Sequence, residues 1–141
     1  MLTIEPLDKS HLLSFRPMVG QEQEFQTLCD INYPRPEIHN FCVMNDDDMV
    51  LLIGMKEKWA GVYDTYTVFS DGWKPVYYKT LVRVVKGYFE HLDYDRIEHL
   101  VRCDRPWTDK MARMFGFEYN TTFRKYAHGR DYKLYEVVNG S

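Results

Sequence analysis

The 141-residue chain lacks the features that mark membrane, secreted disulfide-rich and nucleic-acid-binding proteins. Its longest apolar run, residues 49–55, is far shorter than the roughly 20 residues that a membrane-spanning helix needs. The first residues show no basic-then-apolar pattern, so we expect no secretion signal. The three cysteines have no CxxC spacing, which predicts reduced thiols and no metal site. Without a basic excess, nucleic acid is not an expected partner.

An apolar content of 45% suffices for a buried core, and no linker or repeat divides the sequence. We therefore predict a single domain over residues 1–141. Charge is uneven: residues 1–73 have a net charge of −7 and residues 74–141 a net charge of +4. Such polarity favours stacking on copies or partners, or attracts an anionic ligand to the C-terminal half.

Hydrophobic periodicity predicts the element order β α α β β β α β α β β. Residues 38–44 and 49–55 form a hairpin, residues 61–69 a strand, and residues 77–92 an amphipathic helix; residues 56–59 are expected to connect two strands. The last helix, over residues 107–115, ends at Gly116, and a last hairpin turns at residues 128–131. The class is α+β, a mixed and mostly antiparallel sheet of six to seven strands with about four helices on its faces.

Three segments together resemble the GNAT superfamily of N-acetyltransferases. WTDKMARMFGFEY, before a hairpin ending in YKLYEVV, is similar to the family's penultimate helix and its Gly-Phe end. FCVMNDDDMVLLIGM resembles its second and third strands, and GVYDTYTVF its fourth. The similarity extends over nearly the whole chain and implies the GNAT fold.

In that family a glycine-rich loop after the fourth strand holds the pyrophosphate of coenzyme A. The matching segment here, SDGWKPV (residues 70–76), has one glycine, and its proline removes an amide donor. Trp73 would crowd a phosphate and Asp71 would repel one. If the protein is active, the resemblance implies that four residues bind the cofactor: Gly72, Trp73, Lys74 and Val76.

The family's catalytic groups are equally hard to match. The tyrosine that protonates the departing thiolate aligns with Ala112, which has no acid–base chemistry. A base on or near the fourth strand would have to be Asp64, Tyr66 or Glu57, each of which also suits a solvated strand edge. Cys103, close to arginines, is either an activated nucleophile or a buried strand-end thiol.

A narrower group of proteins also lacks the glycine-rich loop and the helix tyrosine. The chain resembles this group, the small GNAT-like internal virion or assembly proteins of short-tailed bacteriophages. The primary hypothesis is therefore a catalytically degenerate protein without a cofactor, located in a virion or the host cytoplasm. Its partners would be other virion or assembly proteins, or its own copies. The interaction surface would lie at Trp73, Tyr77 and Tyr78, either exposed or filling the cofactor cleft.

Two alternatives remain open. The first is an acetyl-CoA-dependent N-acyltransferase with a divergent cofactor loop, and the second is a regulatory module that binds acyl-CoA without turning it over. An enzyme needs unpaired amides at the start of the long helix and a gap between the fourth and fifth strands. Because a shared fold does not decide between these functions, the residues and geometry of the site must distinguish them.

Overall fold

The computed structural model describes residues 1–32 and 40–139. Its elements are β1 (Leu2–Pro6), α1 (Lys9–Ser14), α2 (Glu22–Asn32), β2 (Phe41–Asn45), β3 (Asp48–Trp59), β4 (Val62–Phe69), a 3-10 turn (Pro75–Tyr77), α3 (Tyr78–Glu90), β5 (Arg96–Arg102), α4 (Pro106–Met114), β6 (Glu118–Ala127) and β7 (Arg130–Val138). The predicted order and the α+β class are confirmed.

Seven strands in the described part of the chain form one sheet in the order β1-β2-β3-β4-β5-β7-β6. The β1–β2, β2–β3, β5–β7 and β6–β7 pairs are antiparallel. β4 and β5 are parallel, in a register that runs from Val62 opposite Arg96 to Thr65 opposite His99. The mostly antiparallel sheet is thus as predicted.

The chain divides into two compact units. The first comprises Met1–Lys56 and Tyr66–Val84, and the second Glu57–Thr65 and Val85–Ser141. The single domain over residues 1–141 stays a prediction.

In the first unit, α1 begins at a capping box. The Asp8 carboxylate accepts hydrogen bonds from the amides of Ser10 (2.7 Å) and His11, and His11 Nδ1 accepts one from the Asp8 amide at 3.0 Å. The core beneath α1 and α2 is apolar throughout, consisting of Leu7, Phe15, Leu28, Cys42, Met44, Leu52 and Val68. Burial of these side chains provides the unit's main stabilisation.

The link between β3 and β4 differs from the prediction. Residues 56–59 continue β3 as an exposed strand, and the connection is a tight turn at Ala60 and Gly61. Gly61 has φ +80°, and a Cβ there would lie 2.5 Å from Asp95 Oδ2. Because these strand residues are solvent-exposed and mostly charged, their composition resembles that of a loop.

In the second unit, α4 ends as predicted. Gly116 adopts φ +94°, and the Phe117 amide donates to the Ala112 carbonyl at 3.0 Å. Tyr135 on β7 is fully buried and its hydroxyl donates to Asp109 Oδ1 of α4 at 2.8 Å. Among the described residues, no helix combines the length and apolarity required to cross a membrane.

Candidate functional site

The loop between β4 and α3 is anchored by backbone hydrogen bonds. The Ser70 amide donates to the Val50 carbonyl (3.0 Å), and the Asp71 amide donates to the Arg16 carbonyl (2.8 Å). Trp73 closes the turn with a 3.2 Å bond from its amide to the Ser70 carbonyl. Three of the loop's amides are therefore already paired with protein, and two of these bonds fix the loop to Val50 and Arg16.

The remaining amides of this loop stand at the start of a helix. Within residues 1–32 and 40–139, the amides of Gly72, Lys74 and Val76 donate no hydrogen bond to protein. Lys74 is the N-cap of the 3-10 turn that continues into α3, and its side chain makes no capping bond. The structure thus brings the predicted cofactor residues together, with three amide donors at the positive end of a helix.

Trp73, Tyr77 and Tyr78, predicted as an interaction surface, form one half-buried ring cluster. The Trp73 ring lies 6.1 Å from that of Tyr77 and 6.4 Å from that of Tyr78, and it packs edge-on against Phe69 at 4.9 Å. The Tyr77 hydroxyl also accepts a 3.2 Å hydrogen bond from Asn45 Nδ2. These rings pack under the loop within the first unit, and their role as an interaction surface stays a prediction.

The three predicted bases occupy different environments. Asp64 on β4 is half-buried, with Oδ1 3.9 Å from Lys58 Nζ. Tyr66 is also half-buried and two residues further along the same strand, so its side chain points to the same face. Glu57 accepts a hydrogen bond from the Tyr63 hydroxyl; the pKa of Tyr63 is raised by burial and by this carboxylate.

A row of carboxylates crosses the sheet of the second unit. Its members lie opposite one another in the strand register, in the order Asp64, Glu98, Glu136, Glu118. Lys58 donates to Glu98 at 2.9 Å, and Arg96 donates to Glu98 at 3.0 and 3.1 Å and also binds Glu136. Burial alone would raise the pKa of Glu98, but hydrogen bonds from Lys58 and Arg96 hold that pKa below its usual value.

His99 lies on β5, and from the sequence a supporting or surface role is expected for it rather than metal ligation. Its Nδ1 lies 3.0 Å from Thr65 Oγ1 and 3.3 Å from the Thr65 carbonyl oxygen, and its ring packs 5.6 Å from that of Phe117. Burial lowers the pKa of His99 to about 4, although the bond to the Thr65 carbonyl opposes this shift. The imidazole is therefore neutral at pH 7.

Two other positions do not supply the chemistry considered for them, and Cys103 is half-buried rather than a fully buried thiol. Ala112 is buried in α4, so the place of the family's thiolate-protonating tyrosine holds a packed methyl group. The pKa of Cys103 is raised, first by burial, and Lys133 offsets this only in part. A raised pKa does not support the activated-nucleophile hypothesis for Cys103. One neighbouring arginine, Arg102, is bound to Asp104 at 2.7 Å. In the described residues no three histidines, cysteines or acids gather as a metal site.

Solved structures share this fold over almost the entire chain. A GNAT-family acetyltransferase from Bacillus cereus ATCC 10987 aligns with a TM-score of 0.72 at 10% identity, covering 98% of this chain and 97% of its own. The spermidine/spermine N-acetyltransferase SpeG from Vibrio cholerae aligns at 0.69 and 14%, covering 98% and 95%. A GNAT-family acetyltransferase from Bacillus anthracis aligns at 0.67 and 15%, covering 99% and 96%.

No protein-family model matches the sequence, and no curated protein does. At these identities the structural likeness shows the fold and no more. The GNAT fold predicted from the sequence is confirmed, since the named neighbours are acetyltransferases of that family.

Proposed function

We propose that the protein is an acetyl-CoA-dependent N-acyltransferase with a divergent cofactor loop. The observation that carries the proposal is the set of three unpaired amides, from Gly72, Lys74 and Val76, at the start of α3. Helix N-termini with unpaired amides bind phosphate groups, because amide donors and the helix dipole both favour negative charge. The shared fold with N-acetyltransferases supports the same function.

The residues of the loop fit the diphosphate of coenzyme A in part. The exposed Lys74 adds a positive charge to the three amides, and Lys79 follows on the exposed side of α3. Asp71 is exposed at the same loop and opposes an anion, while Pro75 contributes no donor. We expect binding weaker than a full glycine-rich loop provides, with Lys74 as its largest side-chain contribution.

Acetyl-CoA supplies an activated thioester to which an amine nitrogen adds. In this chain we assign the amine's proton to Asp64, a half-buried carboxylate on β4. As the C–N bond forms and the C–S bond breaks, the departing thiolate has no acid at Ala112 and takes its proton from water. Turnover should therefore be slow even where binding is good.

A polyamine is the acceptor that we favour. The carboxylate row around Asp64 has four acids against the two cations Lys58 and Arg96, an excess that attracts a polycation. The Vibrio cholerae neighbour is described as a spermidine/spermine N-acetyltransferase, in keeping with such an acceptor.

The proposal is tested by following thiol release from acetyl-CoA with spermidine, spermine and a panel of monoamines. We expect release with the polyamines, loss of most of the rate in Asp64→Asn, and retention in Glu90→Gln, an exposed acid of α3 outside the row. Release that is equal in Asp64→Asn and wild type would remove Asp64 as the base. An absence of acyl transfer to every amine would contradict the proposed function.

A non-catalytic GNAT-fold protein is the second candidate, favoured by the buried methyl group of Ala112 and by the ring cluster of Trp73, Tyr77 and Tyr78. It accommodates both the regulatory module and the virion component that the sequence resemblance suggests. None of the three neighbours named above is described as a virion protein. Cofactor binding without transfer would favour the regulatory module, and the absence of both would favour a partner-binding role.

A further inference from the structure

A pocket of about 350 Å³ opens beside the loop after β4, entirely within the first unit. Its walls come from the end of α1, the β2–β3 turn and the loop itself. Its lining includes five charged residues, Arg16, Asp47, Asp48, Asp71 and Lys74, and the hydroxyl residues Ser14, Ser70 and Tyr77. The volume is at the lower end of the range for small-molecule sites, which suits a ligand the size of an amino acid.

The five charged side chains of this pocket are of both signs, and they do not pair with one another. No ion pair within 4.0 Å involves Arg16, Lys74 or the three aspartates among the described residues. Opposite charges that line one small pocket yet remain apart leave space for a ligand that carries both. A purely anionic ligand would face three carboxylates, and a purely cationic ligand would face Arg16 and Lys74.

Ser70 provides an independent sign of a ligand. Its side chain is 3% exposed, and its Oγ has no hydrogen-bond partner in the part of the chain that is described. The Ser70 amide and carbonyl are both bonded, so the hydroxyl is the one polar group of this residue left unsatisfied. Buried polar groups are nearly always bonded, and an exception beside a pocket suggests a missing partner.

We infer that this pocket binds a small zwitterion of amino-acid size. The ligand's ammonium group lies against Asp47 and Asp48, its carboxylate against Lys74 and Arg16, and the Ser70 hydroxyl bonds the carboxylate. Gly72 lies next to this hydroxyl, since a Cβ there would be in van der Waals contact with Ser70 Oγ at 3.6 Å. This binding goes beyond acyl transfer and does not require acetyl-CoA.

The test is calorimetric titration of the purified chain, without acetyl-CoA, with a series of α- and ω-amino acids. The matched comparison is 4-aminobutyrate against butylamine, which has the ammonium alone, and butyrate, which has the carboxylate alone. We expect at least one amino acid to bind at least about tenfold more tightly than its one-charge analogues. No binding by any member up to about 10 mM would overturn the inference.

Variants then locate the binding. Lys74→Gln and the double change Asp47→Asn with Asp48→Asn should each weaken it at least about tenfold, while Asp46→Asn, on the same turn but outside the pocket, should not. Ser70→Ala should weaken binding yet raise the melting temperature of the ligand-free protein, which a merely structural hydroxyl would not do. Pyrophosphate binding as tight as the amino acid's, and insensitive to the aspartate changes, would assign the pocket to the cofactor loop and overturn the inference.

Discussion

The charged residues on the sheet of the second unit and those around the pocket of the first unit differ in their pairing. In the second unit, charges on the sheet and α4 are paired: Glu98 with Lys58 and Arg96, and Asp109 with Lys133 at 3.1 Å. In the first unit, the charged side chains lining the pocket by the loop after β4 make no ion pair among the described residues. Paired charges of the first kind hold strands and helices together, whereas unpaired charges of both signs around one pocket leave space for a ligand.

The neutral polar groups of the two sites show a similar contrast. His99 and Tyr135, both in the second unit, have hydrogen-bond partners at Thr65 and Asp109. In the first unit, the Ser70 hydroxyl and three amides of the loop have none. Satisfied groups stabilise the fold, whereas a buried unsatisfied group such as the Ser70 hydroxyl costs free energy that a bound ligand offsets.

The largest expected effect concerns His99. Because burial lowers its pKa to about 4, the unfolded chain binds more protons than the folded one between pH 6.5 and pH 4. This residue should therefore cost about 2 to 3 kcal/mol of stability as the pH falls through that window. Urea unfolding at several pH values should show a shallower pH dependence for His99→Asn than for wild type, and equal dependences would contradict the burial of a neutral ring.

Glu98→Gln should lower the free energy of unfolding by about 1 to 2 kcal/mol, because it removes the carboxylate that Lys58 and Arg96 share. Glu118→Gln, at the exposed end of the same row, should change it by less than about 0.5 kcal/mol. Denaturant titration measures both. If the two variants were equally stable, the row would not hold the strands together.

Ser70→Ala should raise the free energy of unfolding by about 1 kcal/mol, because it removes a buried hydroxyl that no protein group satisfies. Ser14→Ala, at an exposed position lining the same pocket, should have almost no effect. A loss of stability in Ser70→Ala would mean that the hydroxyl is satisfied in the folded protein.

The smallest effects on stability should come from the charges of the pocket itself. Lys74→Gln, Asp71→Asn and Asp47→Asn should each change the free energy of unfolding by less than about 0.5 kcal/mol, since none of these side chains is paired. Asp71→Asn should in addition tighten acetyl-CoA binding by removing a repulsion. Thermal melts of the three variants check the first expectation, and calorimetry checks the second.

The element order could be predicted because each helix and strand has its own periodicity. The long helix follows from apolar residues spaced by three and four, and the end of α4 from Gly116, which adopts the required positive φ. The extension of β3 through Trp59 was missed because an exposed strand has the composition of a loop. Hydrophobic periodicity reflects the burial of one face of an element, so it gives no signal for an exposed stretch of strand.

The site was only partly predictable. The position of the loop and the absence of an acid at residue 112 follow from counting along motifs. The carboxylate row requires the strand register, and the unsatisfied Ser70 hydroxyl requires the packing around it. Both depend on contacts between segments far apart in the chain, which a single sequence does not specify.

The most direct test of the proposed function is calorimetric titration of the chain with acetyl-CoA, run in parallel on Lys74→Gln and on Lys56→Gln, an exposed lysine on β3. The account predicts saturable binding, a stabilisation of about 2.7 kcal/mol at a concentration of 100 Kd, and a loss of affinity in Lys74→Gln alone. Absence of binding at about millimolar cofactor, or equal affinity in both variants, would contradict the assignment of the loop as the cofactor site.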